Sequence, residues 1–224
     1  GNTISGDKTL VMDAGAADYL IVSAVDAADE LCLAVVPRDA DGVTLHSQKL
    51  MDGRQYASLT LRDVEAEEWL TGEMLTSGFA RACDEATIML SCEMLGGCRE
   101  LLERTVAYLR EREQFDVKIG TFQALQHRLA TAYCELELAA ASAFHAMLAM
   151  DRGEPVLSEQ ASTAKALIGD IFQHLSNEAV QMHGGMGVTD EMDIGLFLKR
   201  SRVCNQLYGN SAFHRDRFAT LRGY

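Results

Sequence analysis

The sequence predicts an α+β fold: a partial antiparallel β-domain at residues 1–65, then an antiparallel four-helix bundle at 75–224. Three observations carry that expectation. Apolar, β-branched runs separated by turn residues fill the first 63 positions. From Gly78 onward apolar residues recur every three or four positions, the repeat of a helix face. Only two prolines, Pro37 and Pro155, interrupt 224 residues, so long helices can form.

Taken in order, segment 19–25 (YLIVSAV) and segment 31–36 (LCLAVV) read as strands either side of the acidic turn 26–30. Segment 43–49 alternates apolar and polar residues, and 58–62 reads as a further short strand, so an antiparallel meander is expected. Four or five strands make only part of a sheet. The first helix is expected over 78–113 on the stripe Ile88, Cys92, Leu95, Leu102, Val106 and Leu109. Gly96-Gly97 in its middle costs helix propensity, which another backbone packed closely there would offset. Thr121 is a candidate cap for a second helix with the stripe Phe122, Leu125, Leu129, Ala132, Leu136, Ala140, Phe144 and Met147. Ser158 is the candidate cap of a third, which carries Ala164, Ile168, Ile171, Leu175 and Met182 to the glycines at 184–185. A fourth, over 193–208, presents Leu196, Val203 and Leu207. Helices with short connections and one stripe each pack as an up-down bundle.

Apolar residues make up 48% and charged residues 24%, an ordinary globular balance that excludes disorder. A formal net charge of −13 argues against nucleic-acid and anionic-membrane partners, which need a cationic surface. No run approaches the ~18 apolar residues of a membrane span, and no secretory pattern opens the chain. None of the six cysteines forms a C-x-x-C pair; they are expected to be reduced, in a cytoplasmic protein. His46, His127, His145, His174, His183 and His214 show no paired ligand spacing, so no metal is expected. H-E-x-x-H, G-x-S-x-G and P-loop patterns are absent, which removes zinc-protease, α/β-hydrolase and P-loop chemistry.

Two local patterns keep two meanings each. Gly184-Gly185-Met186-Gly187 follows a helix, which suits a C-cap, whereas a dinucleotide loop precedes one. Arg112, in E-R-E-Q-F at 111–115, is either a cation at a helix C-terminus or a bidentate phosphate donor beside the aromatic Phe115.

Together, R-x-Q-F at 112–115, I-G-x-F-Q-A-x-Q-H-x-L-A at 119–130, A-V-Q-M-H-G-G-M-G-V-T at 179–189 and K-R at 199–200 resemble the acyl-CoA dehydrogenase family. Their order and spacing are similar to that family's C-terminal helical domain, and 10–63 resembles the later strands of its middle β-domain, with G-D-K-T-L-V at 6–11 in the opening strand. The resemblance implies FAD and an acyl-CoA thioester, with a carboxylate removing the α-proton while flavin N5 takes the β-hydride. By the same resemblance Arg112, Gln114, Phe115 and Gln123 reach the ADP half of the flavin across a subunit interface. Gln181, Gly184 and Gly185 form the second strip of that contact. Self-association as a dimer or tetramer, or pairing with a homologous partner subunit, follows from it.

Three departures accompany the resemblance. The family's helical N-terminal domain and early β-strands have no counterpart here. Its Q-F-G reads Gln114-Phe115-Asp116, and its Y-E-G-T, which carries the catalytic glutamate, aligns with 208–211, so Gly209 stands at the base position. Asp84 and Glu85 are the acidic residues near the alternative base position on the long helix, and neither aligns cleanly. The expectation is therefore the C-terminal part of an FAD-dependent acyl-CoA dehydrogenase that does not dehydrogenate acyl-CoA alone. The alternative is a non-catalytic partner or scaffold subunit that uses the bundle for assembly.

Overall fold

The computed structural model describes residues 3–224, apart from the side chain of Glu73. The first two positions of the expected 1–65 segment lie outside the described residues. Internal contacts divide the chain between Ala80 and Arg81, within the first turns of its longest helix.

The first unit is built on β1 (Thr3–Met12), β2 (Tyr19–Val25), β3 (Leu31–Pro37), β4 (Val43–Lys49), β5 (Gln55–Glu65) and β6 (Glu68–Leu70). These strands make two three-stranded antiparallel sheets, ordered β1-β5-β4 and β2-β3-β6, where a single meander was expected. The cause is one-sided burial. Leu20 and Val22 on β2 and Leu59 and Leu61 on β5 alternate with more exposed neighbours. A sheet with one apolar face needs a second to cover it. Both sheets contribute to one core, which includes Val36, Ala57 and Val64.

The second unit is helical, with α1 (Glu73–Glu111), α2 (Gln123–Arg152), α3 (Leu157–His183), α4 (Ile194–Gln206) and α5 (Ser211–Leu221). The first four are the predicted antiparallel bundle; α5 is an addition. It buries only Ser211 and His214, so no apolar stripe announces it. Its start is set by Asn210, whose Oδ1 accepts the Phe213 N–H at 2.9 Å.

Helix α3 supplies the centre of the core with Ala161, Ala164, Ile168, Ile171, Phe172 and Leu175. Arg128–Glu178 and Glu135–His174 run α2 antiparallel to α3. Glu93–Arg200 and Arg104–Asp193 run α4 antiparallel to α1. Glu159–Arg222 and Asp170–Arg215 run α5 antiparallel to α3. Helices α1 and α3 run in the same direction and in step. Asp84 meets Ser158 and Tyr108 meets His183, intervals of 74 and 75 residues.

Several local expectations change. The first helix spans 73–111, and its core line includes Thr87, Ser91 and Thr105. Each of those hydroxyls donates to the carbonyl four residues back, so polar residues sit in the core without an orphaned donor. Gly97 makes room for a side chain, the ring of Phe172, whose Cζ would lie 2.9 Å from a Cβ at that position; no backbone packs there. Thr121 and Ser158 are not caps: Thr121 donates to the Lys118 carbonyl, and Ser158 donates to Asp84. The inner face of α2 is Ala132, Leu136, Ala139, Ala143, Ala146 and Ala149, a small-residue surface that lets α3 approach closely. Phe144 and Met147, expected in the core, are 64% and 41% exposed, and Leu196 of α4 is also exposed. Among the described residues no helix is long and apolar enough to cross a membrane.

Candidate functional site

The chain leaves α1 at Glu111 and turns through a two-residue hairpin, β7 (Glu113–Gln114) and β8 (Val117–Lys118). Its central residues, Phe115 and Asp116, have φ of 56° and 63°, the backbone a type I′ turn requires. Asp116 thus occupies a left-handed position where Gly is easiest and Asp is tolerated. Lys118 Nζ pairs with Glu113 at 2.6 Å and donates to the Glu111 carbonyl, which closes the hairpin onto the helix end. The hydrogen bond from Lys118 holds the Glu113 carboxyl below its ordinary pKa.

This turn presents side chains outward. Phe115 is 85% exposed and meets the rest of the chain edge-on, at 6.1 Å from the Phe122 ring. The side chains of Arg112, Gln114 and Gln123 are exposed as well. Gln114 donates to the Glu113 carbonyl, whereas Arg112 has no ion pair among the described residues.

The second strip lies at the end of α3. Gln181 is exposed on the last turn, and Gly184 and Gly185 open a short 3-10 turn (Gly184–Val188). The three glycines there differ in kind. Gly187 is required by packing, since a Cβ would lie 2.7 Å from the Val180 carbonyl oxygen. Gly184 has φ +59° and ψ −139°, a backbone reserved for glycine. Gly185 meets neither demand, and nothing of this chain lies within 4 Å of a Cβ there. Its smallness leaves the backbone open to something from outside.

Two residues that sequence reasoning passed over hold the strips together. Tyr108, one turn before Arg112, stacks on His183, two residues after Gln181, with ring centroids 4.2 Å apart. The Tyr108 hydroxyl donates to the His183 carbonyl. His183 Nδ1 donates to the Ala179 carbonyl at 2.8 Å, and its buried Nε2 has no hydrogen-bond partner among the described residues. Burial lowers the pKa of the imidazole, so the neutral ring is favoured under its neighbour. The spacing of one turn before Arg112 was the available signal.

Gly209 lies elsewhere, in the turn between α4 and α5. Lys165 of α3 is fully buried and donates to the Gly209 carbonyl at 2.7 Å and to the Asn205 carbonyl at 3.2 Å. His214 Nε2 donates to the Tyr208 carbonyl at 2.9 Å. The residue itself has φ +97°, and a Cβ on it would lie 2.4 Å from Phe213 Cδ1. The aromatic ring fills the place of a side chain. Gly209→Ala should cost about 1–2 kcal/mol from the left-handed backbone, plus the displacement of the ring. Thermal unfolding in a Phe213→Ala background, where the second part vanishes, checks that division. Lys165 stands 18 residues before His183 on α3, roughly 27 Å at 1.5 Å per residue. One copy therefore keeps the glycine strip and the base position well apart along α3. Asp84 is locked in a buried pair with Arg217 at 2.6 Å, and Glu85 pairs with Arg81 at 2.7 Å.

The chain is thus a β-unit followed by an antiparallel helical bundle that carries an exposed aromatic hairpin and an open glycine turn. Comparison with known proteins makes this specific. Residues 79–220 match the family described as acyl-CoA dehydrogenase, C-terminal domain. The chain is 29% identical over 224 aligned positions to the probable acyl-CoA dehydrogenase YngJ of Bacillus subtilis, covering 95% of this chain and 58% of that protein. It is 36% identical over 126 aligned positions to acyl-CoA dehydrogenase IpdE2 of Mycolicibacterium smegmatis, covering 56% of this chain and 39% of that one. The crystal structure of glutaryl-CoA dehydrogenase from Mycobacterium smegmatis superposes with a TM-score of 0.91 at 27% identity, over 99% of this chain and 58% of that one. The acyl-CoA dehydrogenase from Geobacillus kaustophilus shares the fold with a TM-score of 0.93 at 20% identity, over 99% and 61%. This chain belongs to the acyl-CoA dehydrogenase family, and it spans a little over half the length of YngJ.

Proposed function

We propose that the chain is the C-terminal part of an FAD-dependent acyl-CoA dehydrogenase whose flavin site is shared between subunits. The carrying observation is the Tyr108–His183 stack, which joins the outward-facing hairpin to an open glycine turn at one end of the bundle. The residues suit the ADP half of FAD. Arg112 offers an unpaired bidentate cation for pyrophosphate, Phe115 an aromatic face, and Gly184-Gly185 unobstructed backbone. Gln114, Gln123 and Gln181 add exposed amides that can donate and accept around the sugar and phosphate. When bound, FAD would supply the hydride-accepting centre for α,β-dehydrogenation of an acyl-CoA thioester.

Proton removal has to come from outside the 208–211 loop. Gly209 has no base and no room for one, and Asp84 is held by Arg217. The roughly 27 Å along α3 between Lys165, which holds the Gly209 turn, and His183 suits a site completed by another subunit. Titrating FAD into the purified protein, followed by flavin fluorescence, tests the assignment. Arg112→Ala should weaken binding about 10- to 100-fold, the loss of a charge-assisted contact of about 1.5–3 kcal/mol. Equal affinity in both proteins would remove Arg112 from the site.

A further inference from the structure

The tip of the β7–β8 hairpin uses two strained residues where glycine would serve. Phe115 and Asp116 have φ of 56° and 63°, and a two-residue turn of this type prefers Asn-Gly or Asp-Gly. Turn formation does not account for Asp116. The aspartates of other turns accept backbone N–H groups: Asp26 from Ala28 and Glu30, and Asp52 from Arg54. Asp116 is exposed and makes no hydrogen bond or ion pair among the described residues. The cation beside it is already engaged, since Lys118 pairs with Glu113 at 2.6 Å. Residues held in sparsely populated backbone regions cluster at ligand contacts.

The hairpin carries three groups in line. Arg112 sits at its base, where the Arg112 carbonyl accepts from the Ile119 N–H. Phe115 and Asp116 sit at its tip. Three residues at about 3.4 Å each put base and tip roughly 10 Å apart. From base to tip the order is guanidinium, aromatic ring, carboxylate. An adenine nucleotide has the complementary order: an anionic phosphate, a flat base, and at the far edge of that base an exocyclic amine that donates hydrogen bonds. A carboxylate accepts from such an amine. It is repelled by the carbonyl oxygen that a 6-oxopurine carries at the same place, since both groups only accept.

We propose that Asp116 reads the 6-amino group of the adenine, which makes the hairpin selective for adenine over 6-oxopurine nucleotides. The inference rests on the nucleotide site assigned to Arg112 and Phe115, and adds to it the residue that chooses the base. Calorimetric titration of the purified protein with ADP and with inosine 5′-diphosphate, which carries oxygen in place of that amine, tests it. ADP should bind about 10-fold tighter, the effect of one hydrogen bond to a charged group. Asp116→Gly should abolish the preference by weakening ADP alone. The same change relieves the left-handed backbone, so its melting temperature should hold or rise, which separates lost selectivity from lost folding. Arg112→Ala should weaken both nucleotides and leave their ratio unchanged. Equal binding of the two nucleotides by the wild type, with Arg112→Ala weakening both, would overturn the role of Asp116 and keep the nucleotide site. A preference that survives in Asp116→Gly would overturn it too. Binding of neither nucleotide would remove the site and this inference together.

Discussion

Replacing Arg217 with methionine should cost about 3 kcal/mol of folding stability, the lower end of the range for breaking a buried ion pair. Asp84 is 3% exposed at its side chain and pairs with Arg217 at 2.6 Å. Its other oxygen accepts from Ser158 at 2.6 Å, and Arg217 also donates to Ser162. The pair therefore ties α1, α3 and α5 at one end of the bundle. Arg217 remains 27% exposed, and water reaching its guanidinium keeps the figure from the top of the range. Loss of the cation leaves a carboxylate in the core with one hydroxyl partner. Removing both charges, in Asp84→Leu/Arg217→Met, should recover most of the loss, because an apolar replacement of a buried pair is often close to neutral. Urea unfolding of the two variants against wild type reads both effects. A single variant as stable as wild type would show that the pair contributes nothing.

The second large effect is a dependence on pH through Lys165. Burial lowers its pKa from 10.5 to about 8, and its ammonium donates to the carbonyls of Asn205 and Gly209. Below pH 8 the amine is charged in both folded and unfolded chains, and its burial is a standing cost. Between pH 8 and 10.5 the unfolded chain binds more protons, so stability from this group rises with pH. The total rise is about 3 kcal/mol. Cysteines oppose it: burial raises the thiol of Cys98 from 9.0 to about 12 and also raises Cys92 and Cys83. Those groups favour the folded state less as pH climbs beyond 9. The window from pH 8 to 9 therefore belongs to Lys165, and subtracting the curve of Lys165→Met isolates it across the whole range. Parallel curves for the two proteins would refute the reading.

What the sequence made legible follows from which signals are local. The α3 stripe was readable because Ala164, Ile168, Ile171, Leu175 and Met182 all face the core. The β2 and β3 strands were readable because their apolar runs are β-branched and bounded by a turn. Sheet partition was not, because pairing β1 with β5 joins residues 44 to 62 positions apart, a contact that no local pattern encodes. The α2 error has a different source. Phe144 and Met147 fit a helical period as well as Ala139, Ala143 and Ala146 do, and hydrophobicity favours the larger residues. Periodicity gives the angle between faces and leaves open which of two apolar faces turns inward. At the site, Arg112, Phe115 and the glycines were visible as motif residues. Tyr108 and His183 were not, since their partnership crosses 75 residues of chain.

The in-step run of α1 beside α3 sets a rule for how this sequence can change length. One deleted residue in α1 between Asp84 and Tyr108 would rotate everything beyond it by about 100° and shift it by about 1.5 Å. A deletion before Gly97 would take it off the Phe172 ring, and one anywhere in that stretch would take Tyr108 off His183. Deleting one residue in the 153–156 linker would leave the helix itself untouched. Natural variation in length among chains of this design should therefore gather in the connections. Where it does fall inside α1 or α3, it should arrive as seven residues, two full turns, and in both helices at once. The pairing works as a ruler, and its graduations are the helical repeat.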